Sequence, residues 1–347
     1  MAHPASKFAS NSREAALAPV LTDVLPELHL EGHVLTAGDE AGWADRALRD
    51  QGLEVTAWRR YAHLSQTAAP WPPNRFFDAA TLRIPRSREA FAMTLHAVAG
   101  RVRPGGRLLI YGANDEGIKS VDRRLLERFG NARKLAARRH GRLLEASMPD
   151  LVPTTLRTHL EDWREQASAT LPDGTSIEWV TYPGIFAHGR LDEGSARLLT
   201  HIKPPVAGAR ILDFGCGTGL IAMSLLRGCA AYHADLLDAD ALAVHAARQN
   251  VPAGRVILGN GWLALPSKAR PYDLIVSNPP LHKGKHKDFG ILRHLIDGAR
   301  ERLSRRGTLI FVVQSTAPVA RLAREAGATP HILHDDPRYR VWQLQYA

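Results

Sequence analysis

The chain is poor in cysteine and has no long apolar run. Its two cysteines, Cys216 and Cys229, cannot form a disulfide framework and do not make a CxxC pair. No stretch is apolar for long enough to span a bilayer, and the N-terminal residues lack the continuous apolar segment of a secretory signal. We therefore expect a cytoplasmic protein without a membrane anchor. No convincing cluster of metal ligands is visible, so no metal is expected.

Acidic residues are fewer than basic ones. The 347 residues include 45 Lys and Arg against 35 Asp and Glu, which gives a formal net charge of +10. Such an excess favours a polyanionic partner such as nucleic acid, although a general Arg-rich bias would give the same balance. The length predicts two globular domains rather than one.

Both halves of the chain have apolar strands separated by helical stretches. In the first half these strands are "HVLTAGD", "EVTAWR", "FFDAATLRIP" and "GGRLLIYGAN". In the second half they are "ARILDFGCGTG", "AAYHADLLD", "YDLIVSNPP" and "GTLIFVVQ". This pattern is typical of a parallel α/β sheet. We predict two tandem doubly wound Rossmann-like α/β domains, residues 1–150 and 151–347, the second of which begins with a β-hairpin at Asp173-Gly174.

A glycine-rich loop joins a strand to a helix in the second half. Asp213 ends the strand, and Gly215, Gly217 and Gly219 follow it. Glycines permit a tight turn and let the backbone approach a ligand closely, and the first amides of the next helix are free donors. The loop alone is also compatible with a nicotinamide dehydrogenase or with a βα turn that binds nothing.

Two further polar positions follow the glycine loop. Asp238 lies about twenty residues beyond it, where a doubly wound fold places its ribose-binding acid, and Asp235 is the second candidate. Asp240 is expected to cap the next helix. Asn260 follows the third strand, where a carboxamide could read an adenine edge or belong to an ordinary Asn-Gly turn.

The strand "YDLIVS" ends in Asn278, Pro279 and Pro280. Proline lacks an amide hydrogen and has a fixed φ, so the pair must lie past the strand end. The stiff turn presents the Asn278 side chain and nearby carbonyl oxygens as acceptors in a fixed direction. A planar amine would suit them, whereas a dehydrogenase does not explain this turn.

Taken in order, "DFGCGTG", "LDADAL", "GN" and "SNPP" resemble the motifs of class I S-adenosylmethionine-dependent methyltransferases. The upstream "YPGIFAHGRLDEGSARLL" is similar to a segment of the bacterial rRNA guanine-N2 methyltransferases, a family with small-subunit and large-subunit members. The resemblance implies S-adenosyl-L-methionine as cofactor, held by the glycine loop, by Asp238 at the ribose and by Asn260 at the adenine. It also implies a second domain that methylates a guanine N2 in ribosomal RNA, for which we favour 16S rRNA in the small subunit. We expect a monomer.

The resemblance also implies roles for residues of the turn that follows the strand "YDLIVS". The Asn278 oxygen and the Pro279 carbonyl would accept the two hydrogens of the amine, and His282 would orient the loop. Leu281 stands where nitrogen methyltransferases commonly have an aromatic residue, so it offers apolar contact without stacking. The catalytic candidates are Asn278, Pro279, Pro280 and His282, and Leu281 and Lys283 are candidates for substrate contact.

The first half lacks these signatures. No GxGxG occurs in "HVLTAGDEAG", and "RIPR" (Arg83 to Arg86) stands where the proline turn would be. We interpret this half as a degenerate duplicate that kept the fold and lost catalysis. Nine basic and two acidic residues lie between Lys119 and Arg142, and we predict an Arg stripe on helices that docks RNA phosphates, unless it is simply a solvated face. The candidate RNA contacts are Arg133, Lys134, Arg138 and Arg139.

Four alternatives remain open on the sequence. The first is a guanine in 23S rRNA, and the second is a protein glutamine or an adenine N6, both of which are served by Asn-Pro-Pro turns. The basic first half argues against a protein substrate. The third alternative is a non-catalytic RNA-binding assembly factor, against which the intact motifs of the second half argue; a dehydrogenase is the weakest.

Overall fold

The computed structural model describes residues 11–62, 67–151, 153–203, 206–227, 233–267, 270–280, 282–283, 286–287 and 289–346. Within these residues, side chains are described except at positions 11, 12, 282, 283, 286 and 287. The chain divides into two compact units. The first unit runs to Tyr61 and from Thr67 to Trp163, and the second contains the chain from Arg164 onward.

The first unit is a sheet covered by helices. Its strands are β1 (His33–Ala37), β2 (Glu54–Trp58), β3 (Phe77–Arg83), β4 (Val102–Ala113), β5 (Arg133–Arg138) and β6 (Gly141–Ser147). Its helices are α1 (Asn11–Leu17), α2 (Pro19–Thr22), α3 (Trp43–Asp50), α4 (Arg88–Ala99) and α5 (Val121–Phe129). Among the described residues the strand order is β2-β1-β3-β4-β6-β5, parallel as far as β4 and antiparallel at β6 and β5.

The hydrophobic core lies on both faces of this sheet. Neighbouring residues of a strand point to opposite faces, so in β1 Leu35 joins one apolar cluster and Val34 joins the other. Both side chains are fully buried. Burial on both faces requires helices on both sides, which is the doubly wound arrangement predicted from the sequence.

The second unit repeats this plan with one more strand and a leading hairpin. Its strands are β7 (Glu165–Thr170), β8 (Ser176–Thr181), β9 (Arg210–Phe214), β10 (His233–Asp238), β11 (Arg255–Leu258), β12 (Tyr272–Ser277), β13 (His282–Lys283), β14 (His286–Lys287), β15 (Leu303–Gln314), β16 (Ala328–Asp335) and β17 (Tyr339–Tyr346). Its helices are α6 (Glu193–His201), α7 (Leu220–Leu226), α8 (Ala241–Asn250), α9 (Gly290–Ala299) and α10 (Val319–Glu325). The strand order of the main sheet is β11-β10-β9-β12-β15-β17-β16 in the part that the structure describes.

The two main sheets correspond strand by strand. Without β11, the order in the second unit is the order in the first, and β4 and β15 both have 12 residues. The pairing of β3 with β4 has a register shift between Phe77 and Ala79. The pairing of β12 with β15 has a register shift at the equivalent position, between Tyr272 and Leu274. The prediction of two tandem Rossmann-like domains is therefore confirmed, and the shared shift aligns β3 with β12 residue by residue.

The hairpin β7–β8 opens the second unit. Its turn uses Gly174 at φ +82°, and the Asp173 carboxylate accepts a hydrogen bond from the Thr175 amide at 2.9 Å. The buried Trp179 of β8 packs in a cluster with Leu220, the first residue of α7. The hairpin predicted at Asp173-Gly174 is present, and its apolar face covers the helix that follows the glycine loop.

The first unit extends to Trp163, past the boundary predicted near residue 150. The Arg157 amide donates to Nδ1 of the buried His96 in α4 at 3.0 Å. The Trp163 ring stands edge-on to the same imidazole, with 5.1 Å between the ring centroids, and Trp71 Nε1 donates to the Thr158 carbonyl at 3.1 Å. These contacts hold residues 153–163 against α4 and Trp71, so this stretch belongs to the first unit. Such nonlocal contacts leave no compositional mark in the sequence.

We predict that His96 makes the stability of the protein depend on pH. Burial, together with Arg128 and Arg157, lowers the pKa of His96 to about 4, so the unfolded chain takes up a proton at higher pH than the folded one. The free energy of unfolding should therefore fall by roughly 2–3 kcal/mol as the pH drops from 7 to 4. Urea titrations across this range should show a shallower pH dependence for His96→Gln. The exposed His159→Gln variant should keep the wild-type slope, and equal slopes in all three proteins would contradict the assignment.

Candidate active site

The candidate site lies where the strand order of the second sheet reverses. The chain runs from β9 to β10 on one side and returns to β12 on the other, and such a reversal leaves a crevice at the carboxyl ends of the two central strands. The buried Ser277 closes the floor of this crevice, since its Oγ donates to the Phe214 carbonyl at 2.6 Å. This bond ties the end of β12 to the end of β9.

The glycine loop follows β9. Gly215, Gly217 and Gly219 have φ values of +73°, +55° and +82°, all in the left-handed region that favours glycine. A Cβ atom built at Gly215 or Gly217 would meet nothing within 4 Å, whereas one at Gly219 would lie 3.0 Å from Val251 Cγ2. The first two glycines therefore border open space where a ligand can approach, and the third lets α7 pack against its neighbours.

Asp213 lies beneath this loop and is fully buried. Its Oδ2 accepts a hydrogen bond from the Ala222 amide at 3.1 Å, while Oδ1 has no partner among the described residues. Burial raises the pKa of Asp213 to about 7. A buried carboxylate oxygen without a donor is costly, so this atom fits a ligand that brings its own N–H donor or positive charge.

Asp238, at the end of β10, connects the loops of the site. Its Oδ2 accepts from the Gly217 amide at 2.8 Å, and its Oδ1 accepts from the Asp240 amide at 2.9 Å. Its backbone carbonyl accepts from Gly259 at 2.9 Å, immediately before Asn260. Burial, and to a smaller extent the negative charge of the neighbouring Asp240, raises the pKa of Asp238 to about 6. A carboxylate oxygen can accept more than one hydrogen bond, so Asp238 keeps acceptor capacity for hydroxyl donors.

The second candidate acid, Asp235, has a different role. It accepts hydrogen bonds from Arg210 and Arg255 at 3.0 Å and from the Tyr272 hydroxyl at 2.5 Å. These partners occupy both of its oxygens. Asp235 therefore joins β9, β10, β11 and β12 as a structural ion pair, which leaves Asp238 as the ligand-binding candidate. Asp240 caps α8 as expected, because its Oδ1 accepts from Leu242 at 3.0 Å.

Asn260 is exposed just after β11. Its side chain does not cap the short 3₁₀ helix Gly261–Ala264 and has no hydrogen-bond partner in the part of the chain that the structure describes. The next aromatic residue, Trp262, is buried against Phe214 at 4.5 Å between ring centroids and donates to the His294 carbonyl. Trp262 is a core residue, and the carboxamide of Asn260 is the polar group that this loop offers to a ligand.

Asn278 follows β12 and is held by the beginning of α6. Its Nδ2 donates to Asp192 Oδ1 at 3.0 Å and to Ser195 Oγ at 3.1 Å. The oxygen of the carboxamide has no donor among the described residues. Pro279 is buried and Pro280 is exposed, so the turn has one anchored side and one open side. The arrangement leaves the Asn278 oxygen as a rigidly held acceptor, which suits one of the two hydrogens of a planar amine.

Asp192, Gly194 and Ser195 belong to this site although their sequence motif predicted no role for them. The signal was present in the "LDEGS" segment, which lies at the start of α6. Asp192 is the N-cap of this helix, since its Oδ1 also accepts from the Ser195 amide at 3.2 Å. The contact with Asn278 spans 86 residues of the chain, so only the folded structure shows it.

Part of the predicted turn lies outside the described residues. Leu281 is not described, and neither are the side chains of His282 and Lys283, whose backbone forms β13 paired with β14. Their roles stay predictions. Among the described residues, no group of three or more His, Cys, Asp or Glu side chains is arranged to hold a metal ion. No described helix has the length and apolar character needed to cross a membrane.

The basic run of the first unit lies on a helix only in part. The prediction is right for Arg123, Arg124 and Arg128, which belong to α5, and wrong for Arg133, Lys134 and Arg138, which belong to the edge strand β5. Its Ala, Leu, Arg and Lys residues have good helix propensity, which pairing with β6 overrides. Arg133 is bound to Glu145 at 2.6 Å and Arg138 lies 3.4 Å from Asp23.

The other two basic candidates differ from this pair. Lys134 and Arg139 are exposed and have no ion-pair partner in the described part of the chain. These two residues are therefore the best placed of the four for an external anion.

The first unit has lost the equivalent of the site at each key position. Pairing of β1 with β3 and of β9 with β12 places Arg83 where the second unit has Asn278. Pairing with the next strand places Arg59 where it has Asp238. The loop after β1 keeps positive φ at Gly38 and Gly42, the counterparts of Gly215 and Gly219, but has Glu40 in place of Gly217.

These replacements fill the crevice of the first unit. Arg83 is buried and lies 2.7 Å from Glu116. A Cβ atom at Gly38 would lie only 2.4 Å from the Arg83 carbonyl oxygen, in contrast to the open space at Gly215. Asp39 accepts hydrogen bonds from the Trp43, Ala44 and Asp45 amides at the start of α3. The helix amides that could meet a ligand are thus capped by the protein itself.

Comparisons with known proteins agree with this geometry. Residues 176–343 match the family model described as methyltransferase small domain, and residues 27–166 match its N-terminal counterpart. A solved T. thermophilus structure, described as a 16S rRNA N2 methyltransferase in complex with AdoMet and guanosine, has a TM-score of 0.82. The match covers 95% of this chain and 92% of that chain at 21% identity. The fold and the site define a two-domain methyltransferase.

Sequence relatives specify the family. A protein of Pseudomonas entomophila named ribosomal RNA small subunit methyltransferase C is 38% identical, over 78% of this chain and 80% of its own. A Pseudomonas putida protein of the same name is 34% identical over the same shares. The chain belongs to the ribosomal RNA small subunit methyltransferase C family.

We predict that one cofactor molecule binds per chain, in the second unit. Asp238→Asn should weaken binding of S-adenosyl-L-methionine about tenfold or more, because a hydrogen bond to a charged group is lost. Arg59→Gln, at the equivalent position of the first unit, should leave the affinity unchanged. Isothermal titration calorimetry would measure both affinity and stoichiometry. Two sites per chain, or equal effects of the two substitutions, would contradict the assignment.

Proposed function

We propose that this protein transfers the methyl group of S-adenosyl-L-methionine to the exocyclic N2 of a guanine in 16S rRNA. The observation that carries the proposal is the orientation of Asn278. Asp192 and Ser195 occupy its Nδ2 at 3.0 and 3.1 Å, which leaves its oxygen to accept a hydrogen bond from an amine. The names of the curated relatives support ribosomal RNA of the small subunit as the substrate.

The residues of the crevice fit this cofactor. The unpartnered Oδ1 of Asp213 would receive an N–H donor from the amino-acid end, directly or through water. The open backbone at Gly215 and Gly217 would lie along that part. Asp238 would accept the ribose hydroxyls, and the carboxamide of Asn260 would pair with the adenine edge. When bound, the cofactor supplies a methyl group activated by the adjacent sulfonium.

The task of the protein at the amine is to make a poor nucleophile attack in line. The lone pair of N2 is delocalised into the purine ring, so the nitrogen must become pyramidal as it forms its bond to carbon. The Asn278 oxygen and the Pro279 carbonyl would each accept one N–H bond and stabilise the positive charge that grows on nitrogen. The nitrogen would bond to the methyl carbon while the carbon–sulfur bond breaks and leaves its electron pair on sulfur. One proton of the nitrogen would then pass to solvent water. The two prolines keep the acceptors from relaxing.

We expect Asn278→Ala to lower single-turnover methyl transfer by about a hundredfold or more, because it removes a preorganised acceptor. Labelled S-adenosyl-L-methionine would be incubated with 16S rRNA and with small subunits from cells lacking the protein, and mass spectrometry would identify the nucleoside. Cofactor affinity should be unchanged in the variant. Methylation of adenine or of a protein amide, or no transfer to any RNA, would reject the guanine assignment. The better of the two substrates decides between free and assembled RNA.

We further propose that the first unit docks the RNA through the β5–β6 hairpin. The two turn residues, Arg139 and His140, have φ values of +50° and +59°, a conformation for which Asn-Gly is preferred. The register of the hairpin cannot shift to bring Gly141 into the turn. Another residue would then take the place of Gly141, and a Cβ atom there would lie only 2.5 Å from Leu17 Cδ1. The turn therefore keeps an exposed Arg and His at some cost in backbone energy, and an RNA phosphate would account for their presence.

Replacing this turn should separate stability from RNA affinity. Arg139→Asn combined with His140→Gly should raise the free energy of unfolding by about 1 kcal/mol, since both residues then suit positive φ. The same change should weaken rRNA binding and reduce its salt dependence, because a phosphate contact is lost. Arg305→Asn removes one exposed charge from the second unit and serves as the control. Unchanged affinity of the hairpin variant would reject this docking surface.

A further inference from the structure

The structure assigns Asp192 and Ser195 as positioning residues that prevent the Asn278 carboxamide from flipping. This inference rests on the proposed function, because it concerns how Asn278 meets the amine. The two ends of a carboxamide have almost the same shape but opposite hydrogen-bonding character. With its oxygen forward, Asn278 accepts from an amine. With its nitrogen forward, it would present donors to a group that is itself a donor, and the site would be inactive.

Asp192 selects between these two states by charge. Its Oδ1 lies 3.0 Å from Asn278 Nδ2, and a flip would place the Asn278 oxygen against this acceptor. An ionised carboxylate can only accept hydrogen bonds, so the flipped state loses a charge-assisted bond and gains repulsion. Ser195 adds a second acceptor at 3.1 Å from the same nitrogen. The negative charge also polarises the carboxamide, which makes its oxygen a better acceptor.

The beginning of α6 holds these two groups in place. Asp192 is fixed as N-cap by the Ser195 amide at 3.2 Å, and Ser195 is buried. Between them, Gly194 lets the helix approach the turn, since a Cβ atom there would lie 3.3 Å from Asn278 Nδ2 and 3.5 Å from its oxygen. The three residues form a brace between α6 and the end of β12. Any larger residue at 194 would push against the carboxamide.

A donor–acceptor exchange tests the brace. Asn278→Asp alone should lower single-turnover methyl transfer by about a hundredfold, because two carboxylates would then face each other. Asp192→Asn alone keeps an acceptor and an N-cap, so it should cost only about threefold to tenfold. In the double variant, the carboxamide nitrogen introduced at position 192 can donate to the carboxylate introduced at position 278. This exchange gives up the cap of α6, because Asp192 Oδ1 makes both contacts in the wild-type protein. This variant should regain at least tenfold over Asn278→Asp, and such non-additivity is expected only of groups in contact.

The control and a substrate-free measurement separate this inference from the proposed function. Ser87→Ala removes the equivalent cap of α4, where Ser87 Oγ accepts from Ala90 at 3.1 Å, and should leave methyl transfer unchanged. Thermal unfolding of the same variants should show Asn278→Asp melting lowest of the exchange set and the double variant recovering. Full activity of Asn278→Asp, or a double variant no better than Asn278→Asp in both measurements, would overturn the brace. If wild-type protein methylates no RNA, the proposed function fails, and the unfolding data still decide the inference.

Discussion

The parallel pairing of β9 with β12 decides where every candidate functional group lies. These strands are distant in sequence, and between them the chain leaves the sheet on one side and returns on the other. Their carboxyl ends therefore point into one crevice, with the glycine loop after one strand and Asn278 after the other. The Ser277 bond to Phe214 at 2.6 Å keeps the two ends together. Without this pairing the motifs would be unrelated turns.

The acidic residues around this crevice differ in their hydrogen-bond and ion-pair partners. Asp235 is saturated by two arginines and a tyrosine and holds four strands together. Asp213 and Asp238 lack cationic partners among the described residues, and burial raises the pKa of both. Carboxylates that are buried without a counter-charge are poor structural elements. The free-energy cost of burying them is offset where a ligand supplies hydrogen-bond donors. The difference in partners therefore distinguishes the structural acid, Asp235, from the two candidate binding acids.

The first unit shows what the same fold becomes when the site is filled. Arg83 and Arg59 occupy the places of Asn278 and Asp238, and Arg83 is neutralised by Glu14 and Glu116. Arg83 therefore forms an internal ion pair with these two acids instead of facing a ligand. Buried ion pairs often contribute little net stability, but removing one partner leaves an uncompensated buried charge and is strongly destabilising. The duplicate thus retains its sheet and its glycine turns while its crevice is closed by its own side chains.

Much of this was determined by the sequence alone. Strand patterns predicted the two sheets, Asp173-Gly174 predicted the hairpin, and the order of the glycine loop, Asp238 and the proline turn indicated the kind of site, because each is a local pattern of residue types. The strand character of Arg133–Arg138 was missed, since pairing with β6 overrides a helix-prone composition. Tertiary structure alone decided the role of Asp192, because its contact with Asn278 spans 86 residues. It also distinguished Asp235 from Asp238, because only the folded chain brings Arg210 and Arg255 to one carboxylate and leaves the other facing the crevice.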